Sequence, residues 1–251
     1  MKNIYLLMTF LILISTDLFA STSADVKVLE SSEEIRLLSQ KISREYLMLY
    51  KYPNKKNIKK QLNNFLDRLD IDFKNIARTT KDSDTKDVLE FLAYSKDQIA
   101  DMFKKSADKD KAALMLDYSE TLLEGADSIA KSHLYEFSKE EKMLMATKEI
   151  KYLLERIGKY YMALNVGFAD TINKEKLNEA INNLEKELDQ IRAYKYPSNL
   201  AIKQNDLIAF WDSSKSYYKS DKLFIPNLLQ EMSENMEKLI SQLAIYHSKN
   251  Q

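Results

Sequence analysis

The sequence predicts an all-α protein: two tandem up-down four-helix bundles joined by a long continuous helix. Three observations predict it. Only three glycines and three prolines punctuate 251 residues, too few corners for a sheet protein of this length. From Glu34 onward apolar residues recur every three or four positions, the period of a helix with one buried face. The second half of the chain also repeats the first.

The first element reads as a leader. In MKNIYLLMTFLILISTDLFA, Lys2 supplies the positive start, Ile4 to Ile14 is almost wholly apolar, and Leu18-Phe19-Ala20 resembles a cleavage site. The apolar run is too short for a stable membrane span, so a signal peptide cut after Ala20 is expected, with an uncleaved anchor as the alternative. The mature protein is then periplasmic or secreted and does not span the membrane. Ile35, Leu38, Ile42, Tyr46 and Leu49 line one face of the next helix, with Ser31 and Glu34 offering a capping box at its start and Pro53-Asn54 ending it. A second helix is expected over about Lys55 to Arg78 and a third over about Asp84 to Lys105, with a fourth starting near Asp108.

Between Asp110 and Ala169 no proline and no loop-like cluster interrupts the pattern. Ser138 and Glu141 offer a capping box and so a break, but the expectation is one unbroken rod linking unit 31–137 to unit 138–247. Pro226 suits the first turn of the last helix. The repeat itself aligns Lys41–Leu49 with Arg156–Leu164, Leu62-Asn63-Asn64 with Ile181-Asn182-Asn183, Leu69-Asp70 with Leu188-Asp189, Phe91 with Phe210 and Ser95-Lys96 with Ser214-Lys215. Trp211 falls opposite Leu92 and is expected in the core or seam of the second unit.

Composition removes several function classes. Lys+Arg and Asp+Glu are both 38, so no basic excess exists to hold a nucleic-acid backbone. Cysteine is absent, which excludes disulfides, thiolate metal sites and cysteine nucleophiles. His133 and His247 lack the Glu-x-x-His spacing of a di-iron bundle. No nucleophile elbow or phosphate-cradling glycine loop is present, so neither an enzyme nor a cofactor is expected.

The run Ile35-Arg36-Leu37-Leu38-Ser39-Gln40-Lys41-Ile42-Ser43-Arg44-Glu45-Tyr46-Leu47 resembles the opening helix of the PilJ-type domain, the N-terminal domain of type IV pili methyl-accepting chemotaxis transducers. Arg36, Leu38, Ser39, Gln40, Ile42, Tyr46 and Leu47 match that motif; the Gly-Arg-Gln that precedes it in the family is replaced by Glu33-Glu34-Ile35. Lys151 to Met162 is a degenerate second copy with Leu154-Glu155 in place of Ser-Gln. The resemblance implies a periplasmic helical-bundle sensor, similar to the sensor region of nitrate/nitrite histidine kinases. Lacking a transmitter segment, it would signal through a membrane receptor or histidine kinase.

Arg36, Gln40 and Ser43 share one stripe bordering the apolar face, where a guanidinium, an amide and a hydroxyl can hold a nitrate-like or carboxylate anion. The candidate ligand-binding set is Arg36, Ser39, Gln40, Ser43 and Tyr46, with Lys151 and Lys159 from the second copy. The competing expectation is a ligand-free structural or adaptor protein of the cell envelope, in which the same stripe is packing.

Overall fold

The computed structural model describes the backbone of residues 2–219 and 224–250, and side chains from Ala24 onward except Lys56. Eight helices and no strand occur among the described residues: α1 (Lys2–Lys51), α2 (Lys56–Thr79), α3 (Ser83–Phe103), α4 (Lys109–Ser132), α5 (Lys139–Asn165), α6 (Thr171–Ala193), α7 (Ser198–Tyr218) and α8 (Pro226–Lys249). The side chains of the expected leader, residues 1–20, lie outside the described residues. Among the described residues no helix is long and apolar enough to cross a membrane.

Local chemistry sets most boundaries. Asp82, Asp108 and Asp170 each accept a hydrogen bond from a backbone N–H three residues on, starting α3, α4 and α6. Pro226 occupies the first turn of α8. α5 ends in a Schellman turn: Gly167 takes φ +112°, and the Phe168 N–H reaches the Ala163 carbonyl at 3.0 Å.

Two boundary expectations are corrected. The unbroken rod from 110 to 169 does not exist, because α4 stops at Ser132 and Ser138 restarts the chain with a complete capping box to Glu141. The physical reason is direction. α4 lies antiparallel to α1, pairing His133 with Asp25 and Asp127 with Arg36, whereas α5 runs parallel to α1, so the chain must reverse between them. The second correction is at Ser31 and Glu34, which cap nothing. α1 runs straight through them, the Ser31 hydroxyl bonds to Asp72, and Glu34 pairs with Arg68. Val28 and Leu29 are buried, so packing begins before the expected start.

α1 packs on α2, α2 on α3, α3 on α4 and α4 back on α1; α5 to α8 close in the same order. This arrangement fits two four-helix bundles. Two apolar clusters follow it, one around Ile35, Ile42, Leu62, Leu92 and Leu122, the other around Ile150, Ile157, Ile181, Trp211 and Met236. The repeat extends into the last helices. Met115, Ser119, Leu122, Ala126 and Ile129 of α4 and its C-cap His133 correspond at one constant spacing to Leu229, Ser233, Met236, Ile240, Leu243 and His247 of α8. Leu92 and Trp211 are both buried at equivalent places.

Candidate functional site

The motif helices meet at the centre. α1 and α5 pack together, and residue numbers rise together across the contact: Glu30 near Lys148, Arg36 on Glu149, Arg44 on Glu155 and Gly158. The two copies therefore present equivalent faces to each other in parallel. Gly158 permits the approach, since a Cβ there would come within 3.0 Å of the Arg44 Cδ.

Charge rather than hydrocarbon fills much of this seam. On one side, Glu155 of α5 is 1% exposed and takes Arg44 at 2.7 Å and Lys41 at 3.6 Å. Lys41 also reaches Glu237 of α8 at 3.2 Å, and Arg44 reaches Glu45 at 2.9 Å. On the other side, Glu120 of α4 gathers Arg156 at 2.9 Å, Lys159 at 2.5 Å and Lys176 at 2.7 Å. Lys159 is wholly buried and also donates to the Ser119 hydroxyl at 3.0 Å. Arg156 crosses the seam to the Gln40 amide oxygen at 3.4 Å.

Such crowding shifts protonation. Burial raises Glu237 to about 7, and the neighbouring Glu155 adds to the rise while Lys41 opposes it. Burial also acts on Glu155, but Arg44 and Lys41 outweigh it and hold that carboxyl below its usual range. The two carboxyls therefore titrate as a pair, with Glu237 the one that keeps a proton up to about pH 7. Burial pushes Lys159 down to about 7 against the pull of Glu120, with Arg156 adding to the fall.

The residues expected to bind an anion are brought together only in part, and most are already engaged. Arg36 holds Glu33, Asp127 and Glu149, each at 2.7 Å, and stacks its guanidinium 4.2 Å from the Tyr152 ring centroid. An incoming anion would have to displace one of three carboxylates. Ser39 donates to the Arg36 carbonyl at 2.7 Å and accepts from Gln40 at 2.8 Å, both side chains being fully buried. Ser43 and Tyr46 are also fully buried, and Tyr46 stacks on Phe103. Lys151 is partly buried without an ion pair within 4.0 Å among the described residues, and burial lowers its ammonium below the ordinary lysine value. Lys159 belongs to the Glu120 cluster.

Sequence reasoning missed Glu120, Glu155, Glu237 and Arg156 as site residues. One signal was present: a basic pair, Lys41 and Arg44, recurs as Arg156 and Lys159 beside the apolar stripe. The histidines were missed as well. His133 Nδ1 lies 2.9 Å from Asp25, and its Nε2 lies 3.2 Å from the Thr85 hydroxyl. At the equivalent place His247 Nδ1 lies 2.7 Å from Glu140, and its Nε2 lies 2.7 Å from the Tyr196 hydroxyl. In each repeat a histidine at the end of the last helix thus clasps an acidic residue of the motif helix, Asp25 within α1 and Glu140 at the start of α5. No family model, curated protein or solved structure matches the chain.

Proposed function

We propose that this protein is a small-ligand sensing module of the cell envelope, in which a ligand shifts the motif helices α1 and α5 relative to each other. The observation that supports it is the buried ionic seam. Desolvating charges costs several kcal/mol each, and hydrocarbon would hold two helices at least as well. Buried ion pairs instead define register and permit a second discrete pairing, the property a two-state signalling element needs. The resemblance of the α1 motif to the PilJ-type opening helix supports the same reading. An anion at Arg36 draws no support from the geometry, because that guanidinium is already neutralised threefold.

The chain has no cysteine, so Lys74→Cys and Lys186→Cys, both exposed and on α2 and α6, place two unique spin labels on opposite bundles. Distances between them are measured by pulsed electron resonance with nitrate, nitrite, small carboxylates and a periplasmic small-molecule extract. A ligand that raises the melting temperature should also move the distance distribution by about 2 Å, the scale of interfacial helix shifts. If every stabilising ligand leaves the distribution unchanged, the sensing reading fails. Ligand-independent capture of one stable protein partner in that case favours the adaptor alternative.

A further inference from the structure

The two repeats differ most tellingly away from the seam. Between α1 and α2 of the first bundle lies an open cleft of about 510 Å³ with Ser31 and Asp72 in its wall. Both are buried, at 6% and 9% exposed. Asp72 accepts a hydrogen bond from the Ser31 hydroxyl and has no ion-pair partner among the described residues. Arg68, one turn back on α2, forms its ion pair with Glu34 and acts on Asp72 only through its nearby charge. Following the helix registers into the second bundle, the counterparts of Ser31 and Asp72 are Ala146 and Ile191, which are 4% and 0% exposed and pack as core.

A carboxyl therefore occupies a place where the same fold, in the same chain, uses isoleucine. Burying an acid without a direct ion pair is costly, so its presence calls for a partner that arrives from outside. The cleft states the rest of that partner's chemistry. Lys27, Arg78 and Asn75 also line it and are exposed, and the two cations have no ion pair among the described residues. Glu30, also in the wall, pairs among the described residues with Lys148 at 4.0 Å. A ligand suited to this lining carries a positive group for the floor and a negative group for the rim.

We propose that the α1/α2 cleft of the first bundle binds a free α-amino acid, its ammonium on Asp72 and Ser31 and its carboxylate on Arg78, Lys27 and Asn75. A ligand bearing both an ammonium and a carboxylate answers the carboxyl and the guanidinium that line this one cleft, and the cleft volume lies in the range of small-molecule sites. Arg78 suits the carboxylate because its planar fork can bond both oxygens. The inference rests on the small-ligand reading above and names its ligand class and place, which is not the Arg36 stripe. It also ties recognition to response, because Ser31 sits on α1, the helix that forms the seam.

The test uses the twenty proteinogenic L-amino acids, each at about 10 mM, in a thermal-shift screen confirmed by calorimetric titration. At least one should raise the melting temperature by about 5 °C, while its amide and its deaminated acid do not. Asp72→Asn should abolish the shift, and exposed Arg78→Gln should weaken affinity at least about tenfold. The double variant Ser31→Ala, Asp72→Ile copies the packing of the second bundle; it should fold, as read by circular dichroism, and bind nothing. The proposal is overturned if no amino acid binds, if the deaminated acid or the amide binds as well as the parent, or if binding survives Asp72→Asn. Failure here, with another compound moving the spin-label distance, leaves the sensing reading intact. Amino-acid binding with no change in that distance keeps this site and removes the sensing reading.

Discussion

Replacing Glu155 by glutamine probes the seam most directly, because the substitution changes charge and almost nothing else. Glu155 is 1% exposed and neutralises Arg44 at 2.7 Å and Lys41 at 3.6 Å. Glutamine leaves Arg44 with Glu45 alone and Lys41 with Glu237 alone. Breaking a buried pair by removing one partner costs about 3–5 kcal/mol. The loss depends on pH through Glu237. In the wild type that carboxyl is raised to about 7 by burial and by Glu155, so between its ordinary 4.5 and 7 the folded state holds a proton the unfolded state releases. Wild-type stability therefore falls across that window as pH rises, by about 1.4 kcal/mol per pH unit at most. In Glu155→Gln the like charge is gone, Glu237 ionises earlier and takes over Lys41, and the slope flattens. The penalty should be about 3–5 kcal/mol at pH 5.5 and smaller by up to about 2 kcal/mol at pH 8. Urea unfolding at the two pH values measures it, followed by helical circular dichroism and by the fluorescence of Trp211, the sole tryptophan and 1% exposed. An equal penalty at both pH values, or one below about 1 kcal/mol at each, would refute the paired-titration account.

The same groups shape the wild-type pH profile. Asp72 is raised from 3.8 to about 6 and Glu237 from 4.5 to about 7, so their contributions fall as pH climbs through those two windows. Lys159, lowered to about 7 from 10.5, carries its full penalty below 7 and sheds it as pH rises toward 10.5. The urea midpoint should show a shallow minimum near neutrality, and a steady rise or fall through pH 7 contradicts this. Gly125→Ala should destabilise in spite of better helix propensity, because the added Cβ would come within 2.5 Å of the buried Leu92 side chain; about 1–3 kcal/mol is expected, and Leu92→Val in the same chain should recover part of it on thermal melting. Ser138→Ala removes the side chain that starts α5 and should cost about 1 kcal/mol by urea titration, where a loss within error would show the cap to be dispensable.

The helices themselves were legible because each carries its own periodic stripe, a property of ten to twenty consecutive residues. Turns written in local chemistry were legible too, at Pro226 and at Ser138 with Glu141. The Ser138 signal was visible but outranked by the absence of proline and of loop-forming residues, although a capping box is a complete helix start by itself. Ser31 and Glu34 show the opposite error: the same residue pattern sits inside a helix when tertiary partners, here Asp72 and Arg68, claim both side chains. What could not be read was which charge faces which. Arg36 meets Glu149 across 113 residues of chain, and no local window contains both. Asp72 was a weaker case of the same kind. It interrupts the buried face formed by Leu69, Phe73 and Ile76, a signal visible only once the second repeat supplied Ile191 for comparison.

The asymmetry between the copies has a physical logic. Two identical motif helices packed in parallel about a twofold axis would set Arg44 of one against Gln40 of the other, twice, burying two guanidinium groups with only an amide to meet each. In this chain the residue equivalent to Gln40 is Glu155, and Arg44 pairs with it at 2.7 Å. Lys41 at 3.6 Å from Glu155 is mirrored by Arg156 at 3.4 Å from Gln40, whereas Lys159, the counterpart of Arg44, turns with Arg156 to Glu120 on α4. The departure of the second copy from the Ser-Gln pattern is thus the change that neutralises the seam, and it requires two different sequences side by side. Tandem fusion supplies that difference at a fixed one-to-one ratio. It also lets one bundle keep a polar cleft at Ser31 and Asp72 while its twin fills the same place with Ala146 and Ile191, so that recognition and scaffolding can be divided between copies of one fold.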